Sequence, residues 1–341
     1  MGLYLPTSKL AKHGWKILFL SIGAVYLYGL SSLPLVGPDE PRYAQVAREM
    51  LQRGDLITPT LGGVPWFEKP ALLYWMMMAS YRVFGVSEFA ARLGPAICGL
   101  LTAVFVFWAG KNLITLNHDE EAMSGSANSG HWAAFVFLTS LGTIVFSRGA
   151  SFDIVLTMTV TGALCCFVVW HVRNALREDG NARPWLLASF YLFIGLSLLA
   201  KGLVGIVLPG GIIGVYFLLQ REWPNKRFLF SLLWGIPITV AVAGVWYGPM
   251  IYRHGWTFIE QFIVQHHFAR FVSNKYRHPQ PFYFYVPVVA ALVLPWTMVL
   301  IATLTASPRW RWRGMDQVDR IRVFALAWLV VPTIFFSLSG S

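Results

Sequence analysis

The feature that most constrains this chain is its succession of long apolar runs. Nine of them follow one another, at 17–36, 92–110, 132–147, 154–172, 185–200, 203–220, 228–251, 282–304 and 321–338. A helix of about 20 apolar residues crosses ~30 Å of hydrocarbon. The alternating segments of about 10 residues that make an outer-membrane barrel are absent. Composition agrees, since 56% of the residues are hydrophobic and 13% charged, where soluble domains carry about 25% charged residues. A soluble globular enzyme and a disordered chain are both excluded. The expected fold is an all-α polytopic membrane protein with nine transmembrane helices. The first run follows Lys9, Lys12 and Lys16, as in a signal peptide, but it is long and lacks a small-residue cleavage site. It reads as a retained span. Cys98, Cys165 and Cys166 all fall in apolar runs, which makes them small core residues and not a disulfide framework.

The net charge of +11 follows membrane sidedness and does not point to nucleic acid. Arg309, Arg311, Arg313, Arg320 and Arg322 crowd one short loop, and basic short loops stay on the cytoplasmic side. The N-terminus is then cytoplasmic, and segments 37–91 and 252–281 lie on the outer side of the membrane. Segment 111–131 departs from the rule, with Asp119, Glu120 and Glu121 beside Lys111. Two amphipathic stretches follow the first span. Residues 40–53 predict a helix with Tyr43, Val46, Ala47, Met50 and Leu51 on one face, Pro41 in its first turn and Gly54 at its end. Residues 70–84 are short for a span and predict a helix in the interface, with Tyr74, Trp75, Tyr81 and Arg82 at headgroup level.

Ionisable groups near bilayer depth are costly, so each is a site hypothesis. Asp39 and Glu40 stand together where the first span ends, with Arg42 and Tyr43 just after. The plain alternative is charge stabilisation of a helix start. Glu68-Lys69 lies between Trp66-Phe67 and Pro70, where a cation suits a phosphate but an interfacial anchor is equally served. Arg148 and Asp153 read as a structural pair. Lys201-Gly202 interrupts an apolar stretch, and Lys201 could snorkel to the surface. His266, His267 and Arg270 share adjacent helix faces, which suits a phosphate or half of a metal site; a His pair alone is weak ground for zinc. Together these residues describe an outer-face site using carboxylates and phosphate-binding cations.

Several motifs, in order, resemble the aminoarabinose-transferase-like glycosyltransferases, relatives of the protein O-mannosyltransferases. They are Asp39-Glu40-Pro41-Arg42-Tyr43-Ala44, Trp66-Phe67-Glu68-Lys69-Pro70, Ala200-Lys201-Gly202, His267-Phe268-Ala269-Arg270-Phe271 and Tyr276-Arg277-His278-Pro279-Gln280-Pro281. The resemblance covers nearly the whole chain from residue 15. It implies the C-type glycosyltransferase fold and, on the outer, periplasmic face of a bacterial inner membrane, transfer of a sugar from a polyprenyl-phosphate carrier to lipid A phosphate or to a protein hydroxyl. Asp39 and Glu40 take the acidic catalytic positions; Arg42, Lys69 and Arg270 hold the donor phosphate; Tyr43, Glu68, Lys201 and His267 support them. A divalent metal belongs to some members, and Glu68 and His267 are the matching positions, without a commitment to one here. On this reading Lys69 and Arg270, with Arg42, neutralise the departing phosphate. Asp39 acts as general base toward a hydroxyl or orients an acceptor that is already anionic, and the anomeric centre inverts. The family adds further spans and a C-terminal soluble domain, and continues a Ser-Gly-Ser segment like 339–341 into another motif, so residues 1–341 are expected to be a membrane-embedded N-terminal portion lacking part of the donor pocket. Two other classes compete: a lipid or solute transporter, for which no matching pair of broken helices is visible, and a non-catalytic membrane subunit.

Overall fold

The computed structural model describes residues 9–114, 128–176, 183–269, 281, 283–306 and 315–338. Helix α1 (Lys9–Leu27) is followed by a non-helical stretch and then α2 (Asp39–Arg53). A hairpin of β1 (Thr60–Leu61) and β2 (Val64–Pro65) leads to α3 (Leu72–Phe84). Next come α4 (Glu88–Ile114), α5 (Ser129–Thr139), α6 (Leu141–Arg148) and α7 (Phe152–Leu176). They are followed by α8 (Pro184–Lys201), α9 (Val204–Gln220) and α10 (Lys226–Phe258). A π-helical segment (Ile259–Ala269), α11 (Tyr285–Leu292), α12 (Thr297–Ala306) and α13 (Gln317–Leu338) complete the described chain.

The sequence predicts nine spans, and helix occupies all nine runs, but not always as one straight rod. Five helices are long and apolar enough to cross a membrane unaided: Glu88–Leu113, Phe152–Asn174, Pro184–Lys201, Lys226–Gln265 and Gln317–Leu338. Helices α1 and α9 are shorter apolar helices. Two runs are bent pairs, with α5 and α6 at 62° and α11 and α12 at 119°. The two breaks meet: the Leu141 amide donates to the Leu294 carbonyl at 2.9 Å, and Trp296 Nε1 donates to Thr139 Oγ1 at 2.9 Å. Polar groups freed by one break are satisfied by the other, as irregular backbone at membrane depth requires. Broken helices, invisible in the sequence, are therefore present.

Helix α7 is the centre of the bundle, packed between α4 and α8 with most of its length buried. Toward its C-terminal end Phe167 meets the rings of Phe190, Phe217, Phe228 and Phe324. Lipid offers no hydrophobic drive between helices, so close approach decides packing. Where α4 crosses α5, a Cβ added to Gly130 would lie 2.6 Å from the Phe107 carbonyl oxygen. Cys98, Cys165 and Cys166 are buried free thiols.

The first amphipathic helix matches its prediction: α2 buries Tyr43, Val46, Ala47 and Met50, and Gly54 ends it in the left-handed conformation at φ 63°. Glu49 then pins the hairpin, accepting from Thr60 Oγ1 at 2.7 Å and from the Gly62 and Gly63 amides at 2.8 and 3.1 Å. The second stretch departs from expectation. Tyr74 and Tyr81 of α3 are buried in protein and not free to face lipid headgroups, because α2 and α4 pack against that helix. Tyr74 packs edge-on against Tyr43 and Phe152.

Candidate active site

The C-terminal ends of α1, α6 and α8 and the N-terminal ends of α2, α4, α7 and α9 converge on one cavity of about 1190 Å³. Its charged floor carries Asp39, Glu40, Glu68, Lys69, Asp153 and Lys201, and its apolar walls include Leu30, Leu33, Val145, Phe146, Val204, Val207, Phe335 and Phe336. A charged floor under apolar walls suits a ligand with an ionic head and a hydrocarbon tail.

Around Asp39 the charges interlock. Arg42 Nη1 lies 3.4 Å from Asp39 Oδ1 and 3.4 Å from Glu68 Oε2. Lys69 Nζ lies 3.5 Å from Glu68 Oε1. The Arg42 guanidinium sits 5.7 Å from the centre of the Trp66 ring, a cation–π arrangement. Tyr43 also lines the cavity. Burial, and then the charges of Asp39, Glu68 and Asp153, push its hydroxyl pKa up, so it stays a donor at neutral pH.

The two adjacent carboxylates have different surroundings. The Asp39 side chain is 61% exposed. Glu40 is engaged on both oxygens: Arg92 donates from Nε at 3.2 Å and Nη2 at 2.6 Å, and the Val36 and Ala150 amides donate at 2.7 and 2.5 Å. Burial alone would raise the Glu40 pKa, but Arg92 and these two amides outweigh it and hold it below the ordinary value. Arg92 also gives Nη1 to the Leu30 and Leu33 carbonyls and Nη2 to the Pro34 carbonyl, each at 2.8 Å. A guanidinium has five N–H donors, and all are used. This explains why α1 stops at Leu27 although the apolar run continues to residue 36: Arg92 satisfies carbonyls that a helix would otherwise have to satisfy itself.

Asp153 and Lys201 form a short ion pair across α7 and α8, with Ser151 Oγ 3.2 Å from Asp153 Oδ2. Gly202, at φ 72°, lets the chain turn back into α9 beside them. Two expectations are thereby corrected. Lys201 does not snorkel away but pairs inside the cavity. Asp153 does not pair with Arg148, whose Nη1 instead donates to the Val25 carbonyl at 2.5 Å.

Asp39, Glu40, Tyr43, Glu68, Lys69 and Lys201 thus share one cavity, with Arg42 joined through Glu68. Arg270 and the side chain of His267 lie outside the described residues. Sequence reasoning missed Arg92, and the available signal was an arginine at the first position of an apolar run. Among the described residues no three His, Cys, Asp or Glu side chains converge as metal ligands, and Glu68 is held by two cations.

A bent-helix bundle with a charged, apolar-walled cavity at one end is a multi-pass membrane protein of the C-type glycosyltransferase fold. Crystal structures of ArnT from Cupriavidus metallidurans superpose on it: the form bound to undecaprenyl phosphate gives a TM-score of 0.82 at 28% identity, covering 96% of this chain and 56% of that one. The apo form gives 0.79 at 27% identity, covering 97% and 56%. The chain belongs to the dolichyl-phosphate-mannose-protein mannosyltransferase family, whose model matches residues 17–259. Among curated proteins it is similar to the undecaprenyl phosphate-alpha-4-amino-4-deoxy-L-arabinose arabinosyl transferase of Yersinia enterocolitica serotype O:8, at 32% identity over 332 residues, 96% of this chain and 55% of the relative. The Pseudomonas aeruginosa protein of the same name is 28% identical over 336 residues, 95% and 55%. The chain spans about half the length of the curated relatives it matches.

Proposed function

We propose that this chain is the donor-binding membrane portion of a glycosyltransferase that takes a sugar from a polyprenyl-phosphate carrier and delivers it to a lipid A-type phosphate, with inversion. The observation that carries the reading is the cavity, in which Asp39 and the Glu68–Lys69 pair stand beneath apolar walls. The superposition on ArnT bound to undecaprenyl phosphate supports the same donor. Lys69 and Arg42, with Arg270, neutralise the leaving phosphate as the glycosidic bond opens. Asp39 steadies positive charge at the anomeric carbon or, for a hydroxyl acceptor, takes its proton. Glu40, engaged by Arg92 on both oxygens, acts beside Asp39 by holding the site together. No step is assigned to a metal. The cavity faces the periplasm and the N-terminus the cytoplasm.

The family model's description favours a second acceptor, a protein hydroxyl. Transport fits less well, because the charged groups lie at helix ends and not at the two helix breaks. The test is native mass spectrometry of the purified chain with undecaprenyl phosphate, wild type beside Lys69→Ala. Saturable binding that the variant loses is expected. Equal binding by both would sink the assignment of the phosphate to Lys69. In a full-length enzyme, Asp39→Asn and Lys69→Ala should each abolish transfer in a protein that still folds.

A further inference from the structure

The cations of the cavity floor are neutralised in pairs. Lys69 meets Glu68, Lys201 meets Asp153, and Arg92 meets Glu40. Arg148 lines the same cavity, yet among the described residues it pairs with no carboxylate. It donates instead to the Val25 carbonyl, in the last turn of α1. Last-turn carbonyls of a helix have no partner within it, so one end of the guanidinium is anchored by capping α1. Gly29, left-handed at φ 68°, lets the chain pass close to the other end: a Cβ there would lie 3.6 Å from Arg148 Nη2. An anchored, half-buried guanidinium without a counter-charge, at the edge of an apolar wall, asks for an anion.

We infer that Arg148 holds the phosphate of a lipid acceptor, a phosphomonoester headgroup whose acyl chains lie along Leu30, Leu33, Val145 and Phe146. The inference rests on the transferase reading and makes its acceptor anionic. Arg148 is fastened to α1 and stands near the start of α2, because Glu40 accepts from the Ala150 amide two residues beyond it. Arg148, Asp39 and Lys69 line the same cavity, so an acceptor phosphate on Arg148 would share that cavity with Asp39 and the donor phosphate. An acceptor phosphate oxygen attacks the anomeric carbon as the bond from that carbon to the carrier phosphate breaks. The electron pair leaves with the carrier phosphate, and no proton has to be removed from the acceptor.

The bland role, a cap on α1, is separable by substitution. Arg148→Gln keeps a donor for the Val25 carbonyl and loses the charge, and Arg148→Lys keeps the charge. The probes are dimyristoyl phosphatidic acid, dimyristoylglycerol, inorganic phosphate and undecaprenyl phosphate, each titrated against the purified chain by native mass spectrometry. Wild type and Arg148→Lys should bind phosphatidic acid, and Arg148→Gln should bind it about tenfold or more weakly, the loss of a charge-assisted hydrogen bond. Undecaprenyl phosphate binding should be unchanged in both variants. Phosphatidic acid bound equally by wild type and Arg148→Gln, or by none of the proteins, overturns the inference. Inorganic phosphate competing as well as the lipid overturns its lipid part, and so does dimyristoylglycerol binding as tightly as phosphatidic acid. Undecaprenyl phosphate lost together with phosphatidic acid in Arg148→Gln would move Arg148 to the donor site. Failure of the transferase reading has its own signature, undecaprenyl phosphate binding that is indifferent to Lys69.

Discussion

Glu40 and Arg92 show why residue type and position do not settle a residue's role. Two carboxylates side by side, Asp39 and Glu40, look equally available for chemistry in the sequence. The structure distinguishes them because Arg92, 52 positions further on, closes on Glu40. Nothing local announces that pairing, which depends on how α4 meets α2. The paired charges are almost fully removed from solvent, at 6% and 13% exposure. Removing one partner of a buried pair costs about 3–5 kcal/mol. Glu40→Gln should therefore lower the unfolding midpoint in detergent markedly, and Arg92→Lys should as well, since an ammonium cannot reach three carbonyls and a carboxylate together. Melting of both variants at the wild-type temperature would show that the clip is not structural. The depressed Glu40 pKa gives the same contribution a pH signature. It is present above the ordinary carboxylate range and is lost as pH falls through the lower folded-state value.

At the scale of elements, the legible parts were those written in local pattern. The α2 helix, its Gly54 end and the apolar runs follow from periodicity and cap chemistry. The hairpin was not read from the sequence: Gly62-Gly63 supplies the two positive φ angles of a tight turn, but with only two residues a side no alternating strand pattern flanks it. The two helix breaks were not legible, because each is stabilised by the other across more than 150 residues. The hairpin's attachment is testable. Burial tends to raise the Glu49 pKa, but bonds from Gln45, Thr60, Gly63 and Gly62 lower it to about 2. The clamp should hold at neutral pH and loosen as pH falls from the ordinary glutamate value toward 2, read as faster amide exchange over residues 60–65. Glu49→Gln should show that faster exchange already at pH 7. Where α4 crosses α5, Gly130→Ala has no room against backbone; overpacking of this kind costs about 1–3 kcal/mol, measurable as a lower melting temperature. An unchanged melting temperature would mean that the helices can part without cost.

For the molecule as a whole, the proposed orientation can be read with single cysteines, since the native thiols are buried. Val64 is 66% exposed on the hairpin and Trp223 is 93% exposed between α9 and α10. In intact cells an impermeant maleimide should label Val64→Cys and spare Trp223→Cys until the membrane is opened; the reverse pattern would invert the topology. The general region of the site was legible because charge at membrane depth is rare enough to notice. Its assembly was not, because the cavity draws on helix ends from Gly29 to Phe336. That spread has a consequence for biosynthesis. The ribosome delivers the charged floor early, through Lys201, but Phe335 and Phe336 of the apolar walls come more than 130 residues later. Throughout that interval the nascent protein presents an ion-lined groove open on one flank to the bilayer. Whatever insertase or lipid occupies that flank during synthesis must leave before the finished protein can take up a substrate.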